Sequence, residues 1–216
     1  MIWSTAYNLK SEHAISKNKL LATIPKLPNE WRLSFEVKPD DYSVDSYASV
    51  LHMTIGGKGG KIVGERTPAI WFHKNKGILV STAFGGKAAY SKYFKPLPTP
   101  GEWIGFEISQ VLMESQYMFN ITIGGKTEFN HANKKPVELE NVKLYSGSPW
   151  YENQKGTIKN LKIEIRIPPP CVAAGKNSNI LYRLSSREQR NMCATFGVIV
   201  LPFLMSLPYQ KSKHCF

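Results

Sequence analysis

Apolar and polar residues alternate along much of this chain. Trp31-Arg-Leu-Ser-Phe-Glu-Val keeps the alternation throughout, and Thr157–Ile167 sets Ile158, Leu161, Ile163 and Ile165 against Lys159, Lys162, Glu164 and Arg166. A period of two marks a half-buried strand. Further strand-like segments are Leu20–Ile24, Tyr47–Ile55, Pro68–His73, Gly77–Ala83, Lys92–Leu97, Glu102–Gln110, Tyr117–Ile123, Lys126–Phe129 and Val142–Tyr145. In Tyr47–Ile55 the alternation places Val50, His52 and Thr54 on one face and Leu51, Met53 and Ile55 on the other. Glycine and proline punctuate the gaps, and no helical period intervenes. About ten short strands without helices between them predict an all-β fold of two packed antiparallel sheets.

Three turns share the tripeptide Gly-Gly-Lys, at 56–58, 85–87 and 124–126. They read as repeated hairpin chemistry: glycine supplies positive φ and lysine keeps the tip solvated. Residues 1–18 are aperiodic and read as an N-terminal extension. The sandwich is expected over 19–166. Ile167-Pro-Pro-Pro-Cys ends it, because three prolines cannot continue a central strand. The segment 167–216 is read as a poorly structured tail. Its apolar run, Ala194–Leu207, is broken by Pro202 and is shorter than the roughly 20 residues of a membrane-crossing helix.

The 216 residues carry a formal charge of +12. Through residue 166 there are 22 Lys/Arg against 15 Asp/Glu, and beyond it 6 against 1. No dense run of cations occurs, so most lysines read as solvated surface, although an acidic partner fits the balance. Cys171, Cys193 and Cys215 all lie in the tail, so the sandwich needs no disulfide. No secretion signal opens the sequence given.

Several stretches resemble the concanavalin A-like lectin/glucanase superfamily, most nearly its laminin-G-like and pentraxin-like jelly rolls in animal extracellular proteins. They are Ile24-Pro-Lys-Leu-Pro-Asn-Glu-Trp-Arg-Leu-Ser-Phe-Glu-Val, Gly64-Glu-Arg-Thr-Pro-Ala-Ile-Trp-Phe, Gly101-Glu-Trp-Ile-Gly-Phe-Glu-Ile-Ser-Gln, Tyr117–Gly125, Asn141-Val-Lys-Leu-Tyr and Gly156-Thr-Ile-Lys-Asn-Leu. The resemblance implies a jelly-roll sandwich that binds carbohydrate or protein, often with calcium. It implies no activity.

Glucanases of that superfamily carry clustered acids, Glu-x-Asp-x-Glu, on one strand; two carboxylates are the minimum for glycoside hydrolysis. Here Glu36, Glu107 and Glu164 stand singly, which argues against catalysis. Calcium is the cofactor with some donors in sequence: Asp40, Asp41 and Asp45 share one loop, which otherwise reads as an ordinary acidic turn. The histidines and cysteines lack zinc spacing. No phosphate-loop spacing or nucleic-acid motif is present. Asn120-Ile-Thr is an N-glycosylation triplet.

Binding remains. Lys58, Lys61, Arg66, Lys87 and Lys92 lie on or near turns expected at one end of the sandwich. Trp150 and Tyr151 follow Ser-Gly-Ser-Pro in a loop and are the aromatic ligand candidates. Trp31, Trp71 and Trp103 are assigned to the core. The expected function is a non-catalytic extracellular binding or adhesion module within a longer protein. Its partner would be a carbohydrate, a sulfated glycan included, or a protein. A structural spacer and a glycoside hydrolase-like enzyme stay open as alternatives.

Overall fold

The computed structural model describes residues 1–42 and 46–169. Their strands are β1 Ile2–Leu9, β2 His13–Ala14, β3 Lys19–Leu27, β4 Trp31–Pro39, β5 Ala48–Thr54, β6 Ala69–His73, β7 Gly77–Phe84, β8 Lys87–Phe94, β9 Ile104–Met113, β10 Gln116–Ile123, β11 Lys126–Ala132, β12 Leu139–Ser146 and β13 Gly156–Ile167. No helix occurs among the described residues. One sheet runs β1-β13-β4-β9-β10-β11, with β2 added beside β13, and the other runs β3-β12-β5-β6-β7-β8. Every ladder between these strands is antiparallel. The fold is an all-β jelly-roll sandwich of two facing sheets.

The inward positions of both sheets form one core. Phe35 on β4 stacks on Phe106 of β9 at 4.9 Å between centroids, and Phe72 of β6 meets Phe106 from the opposite sheet at 6.3 Å. Burial of such rings is the main favourable term holding two sheets together.

The first eighteen residues are no extension. β1 pairs along β13 from Ile2↔Ile167 to Leu9↔Leu161, and β2 pairs Ile158 and Thr157. A register shift between Thr5 and Tyr7 flips the pattern half-way, so a strict period of two is absent from a real strand. A second irregularity corrects β5. The ladder to β6 shifts between Ser49 and Leu51, and Val50, Leu51 and Met53 all enter the core while His52 and Thr54 stay outside. The tail from residue 170 onward, with its three cysteines and apolar run, lies outside the described residues.

Two of the three Gly-Gly-Lys turns join hairpins, β7–β8 and β10–β11, and the third opens the long β5–β6 connection. That connection and the β7–β8 turn share one end of the sandwich, here called the upper end. Hydrogen bonds tie the two sheets there: the Gly85 amide donates to Asn133 Oδ1 (3.0 Å), Asn133 Nδ2 to Gln110 Oε1 (2.7 Å), and Gln110 Nε2 to the Asn29 carbonyl (2.7 Å). Asn133 and Gln110 are buried, so this chain satisfies amides that would otherwise be costly to dehydrate.

Candidate functional site

On β5, β6 and β7, Leu51, Met53, Ile70, Phe72, Ile78 and Val80 fill the core between the sheets. The alternating positions point outward yet are buried as well. Ala69, Trp71 and Leu79 form a separate cluster, against which Tyr47 and Tyr151 pack. Trp71 is thus buried, as the alternation predicted, but in this outer cluster and not in the main core. The loop between β12 and β13 folds back over this face and delivers Trp150 and Tyr151.

His52 sits at the centre. Its ring lies 5.5 Å from Trp71 and 5.4 Å from Trp150, both edge-on, and parallel to Tyr151 at 6.3 Å. Nε2 is 2.9 Å from the Glu65 carbonyl, so it carries the proton and donates. Nδ1 then accepts from the Ser148 hydroxyl at 3.4 Å. Burial holds its pKa down at about 4 against the upward pull of the Glu65 carbonyl, with a still smaller lowering from the nearby Arg66 charge. The imidazole is neutral at physiological pH.

Arg66 closes the upper side. Its guanidinium lies over Trp71 at 5.1 Å and donates to the Tyr151 hydroxyl at 3.2 Å. Tyr151 in turn donates to the Lys58 carbonyl at 2.6 Å. Three buried polar atoms of this neighbourhood, Trp71 Nε1, Arg66 Nε and Ser49 Oγ, make no hydrogen bond.

Glu65 pins the loop that carries Lys58 and Lys61. Its Oε2 accepts the amides of Lys61 (2.7 Å) and Ile62 (3.2 Å). The Ile62 amide, then those of Lys61 and Gly60, and finally Arg66, hold its carboxyl below the ordinary 4.5 against the opposing effect of burial. A Cβ at Gly57, where φ is +76°, would stand 2.2 Å from Glu65 Oε1, so only glycine leaves room for this cage. The sign of the pH effect follows: the pinning is full above about pH 4.5 and is lost as pH falls through the lower folded value. Glu65→Gln is expected to free the loop at all pH values. Hydrogen exchange of the Lys61 and Ile62 amides checks this; unchanged protection in the variant refutes it.

Further down the same face, Tyr47 packs edge-on against His73 at 4.8 Å. Its hydroxyl bonds that of Tyr93 and accepts from Lys76 at 3.2 Å. The Tyr93 bond first, and then Lys76, draw the Tyr47 phenol below its usual range despite burial, while the same bond raises Tyr93. Ser91 donates to Ser81 at 3.0 Å between these groups and the upper rim. The result is a sheet face of half-exposed aromatic rings, hydroxyls and cations.

Of the residues singled out by sequence, Lys58, Lys61, Arg66, Trp150 and Tyr151 meet here. Lys87 lies on the neighbouring hairpin, whose Ala89 abuts Gly60. Lys92 does not join them: its ammonium lies 4.6 Å over Phe129, at the opening between the two sheets. Asp40 and Asp41 sit at the opposite end, where the Asp40 amide bonds the Lys155 carbonyl at 3.0 Å and Asp41 pairs with Lys155 at 3.4 Å. Asp45 lies outside the described residues, among which no group of three or more metal-binding side chains gathers. Asn120 lies mid-strand on β10, its amide donating to Thr122 Oγ1 at 3.1 Å. His52, Ser148, Tyr47, Tyr93 and Lys76 escaped the sequence reading as site residues, because nothing local marks residues brought together from four separate segments.

A groove of about 410 Å³ opens at the lower end, lined by Phe94, Leu97, Trp103, Ile104 and Ile123 among others. Trp103, assigned to the core by its pattern, is half-buried there between Lys159 (4.0 Å) and Lys38 (5.0 Å).

No family model matches the chain, and no curated protein matches its sequence. Among solved structures, it is similar to the receptor binding domain of botulinum neurotoxin D, at 15% identity and a TM-score of 0.46, over 72% of this chain and 39% of that one. It is also similar to the SAP-like pentraxin of Limulus polyphemus, at 8% identity and 0.45, over 72% and 73%. Mouse laminin α1 domains LG4-5 follow at 12% identity and 0.42, over 75% and 40%. This chain therefore spans about two fifths of the botulinum and laminin structures, and nearly three quarters of the pentraxin. Pentraxin and laminin structures are the kinds to which the sequence stretches bear resemblance.

Proposed function

We propose that this chain is a non-catalytic extracellular binding module that seats a carbohydrate on the outer face of its six-stranded sheet. The observation that carries this reading is the half-exposed pair Trp150 and Tyr151, held on the sheet face by the buried rings of His52 and Trp71 and by Arg66. Aromatic rings offer broad, rigid, apolar faces to the C–H faces of sugars, and the hydroxyls and cations around them bind hydroxyl or acidic substituents. Arg66 and Lys76 favour a sugar carrying negative charge. The Glu65 carboxylate, beside this group, is committed to its own loop, which supports a binding role over hydrolysis.

The test is a glycan array probed with the full chain, with and without a calcium chelator. Selective binding is expected. Tyr151→Ala is expected to weaken it at least about tenfold, as truncation of a buried aromatic anchor does. Tyr151→Phe keeps the ring and is expected to retain most of the affinity. A blank array for a folded sample sinks the proposal and moves the reading to a protein-binding or spacing role.

A further inference from the structure

The upper end of the sandwich combines two features that a sugar face does not require. The strand registers place Ile55, Ile62, Leu112, Met113 and Val137 on its loops. Ile55 follows β5, Ile62 lies in the β5–β6 connection, Leu112 and Met113 end β9 at its hairpin with β10, and Val137 precedes β12. All are exposed, Ile62 at 63% and Met113 at 59%. Exposed aliphatic side chains scattered singly are ordinary, but five gathered at one end of a sandwich mark a contact surface.

The same end is cationic. Lys58, Lys61, Lys87, Lys134 and Lys135 are exposed on these loops or beside them. The acids there are largely neutralised. Glu30 pairs with Arg166 at 2.8 Å, Glu138 with Lys26 at 2.8 Å, and Glu65 is turned into its loop. Glu114 and Glu140 complete the set. Because Asn133, Gln110 and Asn29 tie the turns of both sheets together, the loops stand on one braced platform.

The geometry points to end-on docking of this platform onto an anionic lipid surface, with the lysines at the headgroups and Ile62 and Met113 dipping past them. A sulfated polysaccharide would satisfy the lysines but leave the aliphatic tips in water. A lipid boundary accepts both. The Lys58–Lys61 loop borders the aromatic sheet face as well, so the Ile62 and Met113 variants, not the lysine ones, separate this reading from the carbohydrate one.

The experiment is co-sedimentation of the full chain with vesicles of phosphatidylcholine alone or with about a third phosphatidylserine. Binding is expected with phosphatidylserine, weakening as salt rises. Lys58→Glu/Lys61→Glu is expected to weaken it by about tenfold or more, from about fivefold per surface cation. Ile62→Ser/Met113→Ser is expected to cost a further factor of about ten while leaving thermal unfolding unchanged, since both side chains are exposed. Absence of binding to phosphatidylserine vesicles overturns the inference. So does binding of a heparin-like polymer that depends on the lysines while vesicle binding ignores Ile62 and Met113. Sugar binding that depends on Tyr151 is read independently of either result.

Discussion

Truncating Phe106 to alanine is expected to destabilise the sandwich by about 3–5 kcal/mol, the largest single-residue effect foreseen here. Phe106 is fully buried and touches Phe35 on its own sheet and Phe72 on the facing one. Removing the ring forfeits its transfer free energy and leaves a cavity between two sheets that cannot close without moving both. Phe106→Leu refills much of the volume and is expected to cost markedly less. Urea unfolding followed by fluorescence measures both variants, the denaturant slope being checked for constancy. A loss below about 1 kcal/mol for the alanine variant is a surface-like value and would falsify the placement of Phe106 between the sheets.

Acid is expected to unfold the chain through His52. Unfolded, the imidazole binds a proton near its ordinary 6.5; folded, burial keeps it neutral down to about 4. The unfolded state therefore takes up a proton that the native state refuses. Stability is full above pH 6.5, declines as pH falls toward 4, and changes no further on this account below it. The size is about 3 kcal/mol, since each tenfold difference in proton affinity between the two states is worth about 1.4 kcal/mol. His52→Gln retains a donor for the Glu65 carbonyl and cannot charge, so its stability is expected to be nearly flat across that window. Unfolding measured at closely spaced steps across that interval decides the matter. Parallel pH profiles for the variant and the parent chain would show that His52 is not the responsible group. Because the ring touches Trp71, Trp150 and Tyr151, carbohydrate binding by the folded chain is expected to hold across that interval and to weaken only as pH falls through about 4, where the folded imidazole takes up its proton.

Legibility varied along the chain for identifiable reasons. β4 alternates without interruption because its own residues carry no bulge and its ladder to β9 runs unbroken from Trp31 to Val37, and its core positions could be named at once. β13 was legible despite a break: the step from Ile158 to Leu161 is a bulge, with Asn160 at φ 51° and a register shift between Lys159 and Lys162. β1 was lost because a similar shift falls in a strand of mixed composition. Trp71 illustrates a different limit. Its pattern announced burial, but a strand whose two faces are both covered does not reveal which side is the core.

The binding candidates divide the same way. Trp150 and Tyr151 stood out because large rings after Ser-Gly-Ser-Pro have no strand to bury them. His52 looked like any outward histidine in an alternating strand. Its depressed pKa arises from Trp71, Trp150, Tyr151 and Arg66, which belong to three other segments.

Period-two patterning, the glycine turns and the absence of helical periods were enough to establish an all-β sandwich, because those signals are local and each residue carries its own share. The pairing of β1 with β13, the burial of His52 and the gathering of exposed aliphatics at one end came only with the tertiary structure. They depend on which strands lie side by side and on how a loop from beyond β12 folds over β5 and β6. Such neighbours are far apart in sequence, and only the closing of the two sheets over a shared core brings them into contact.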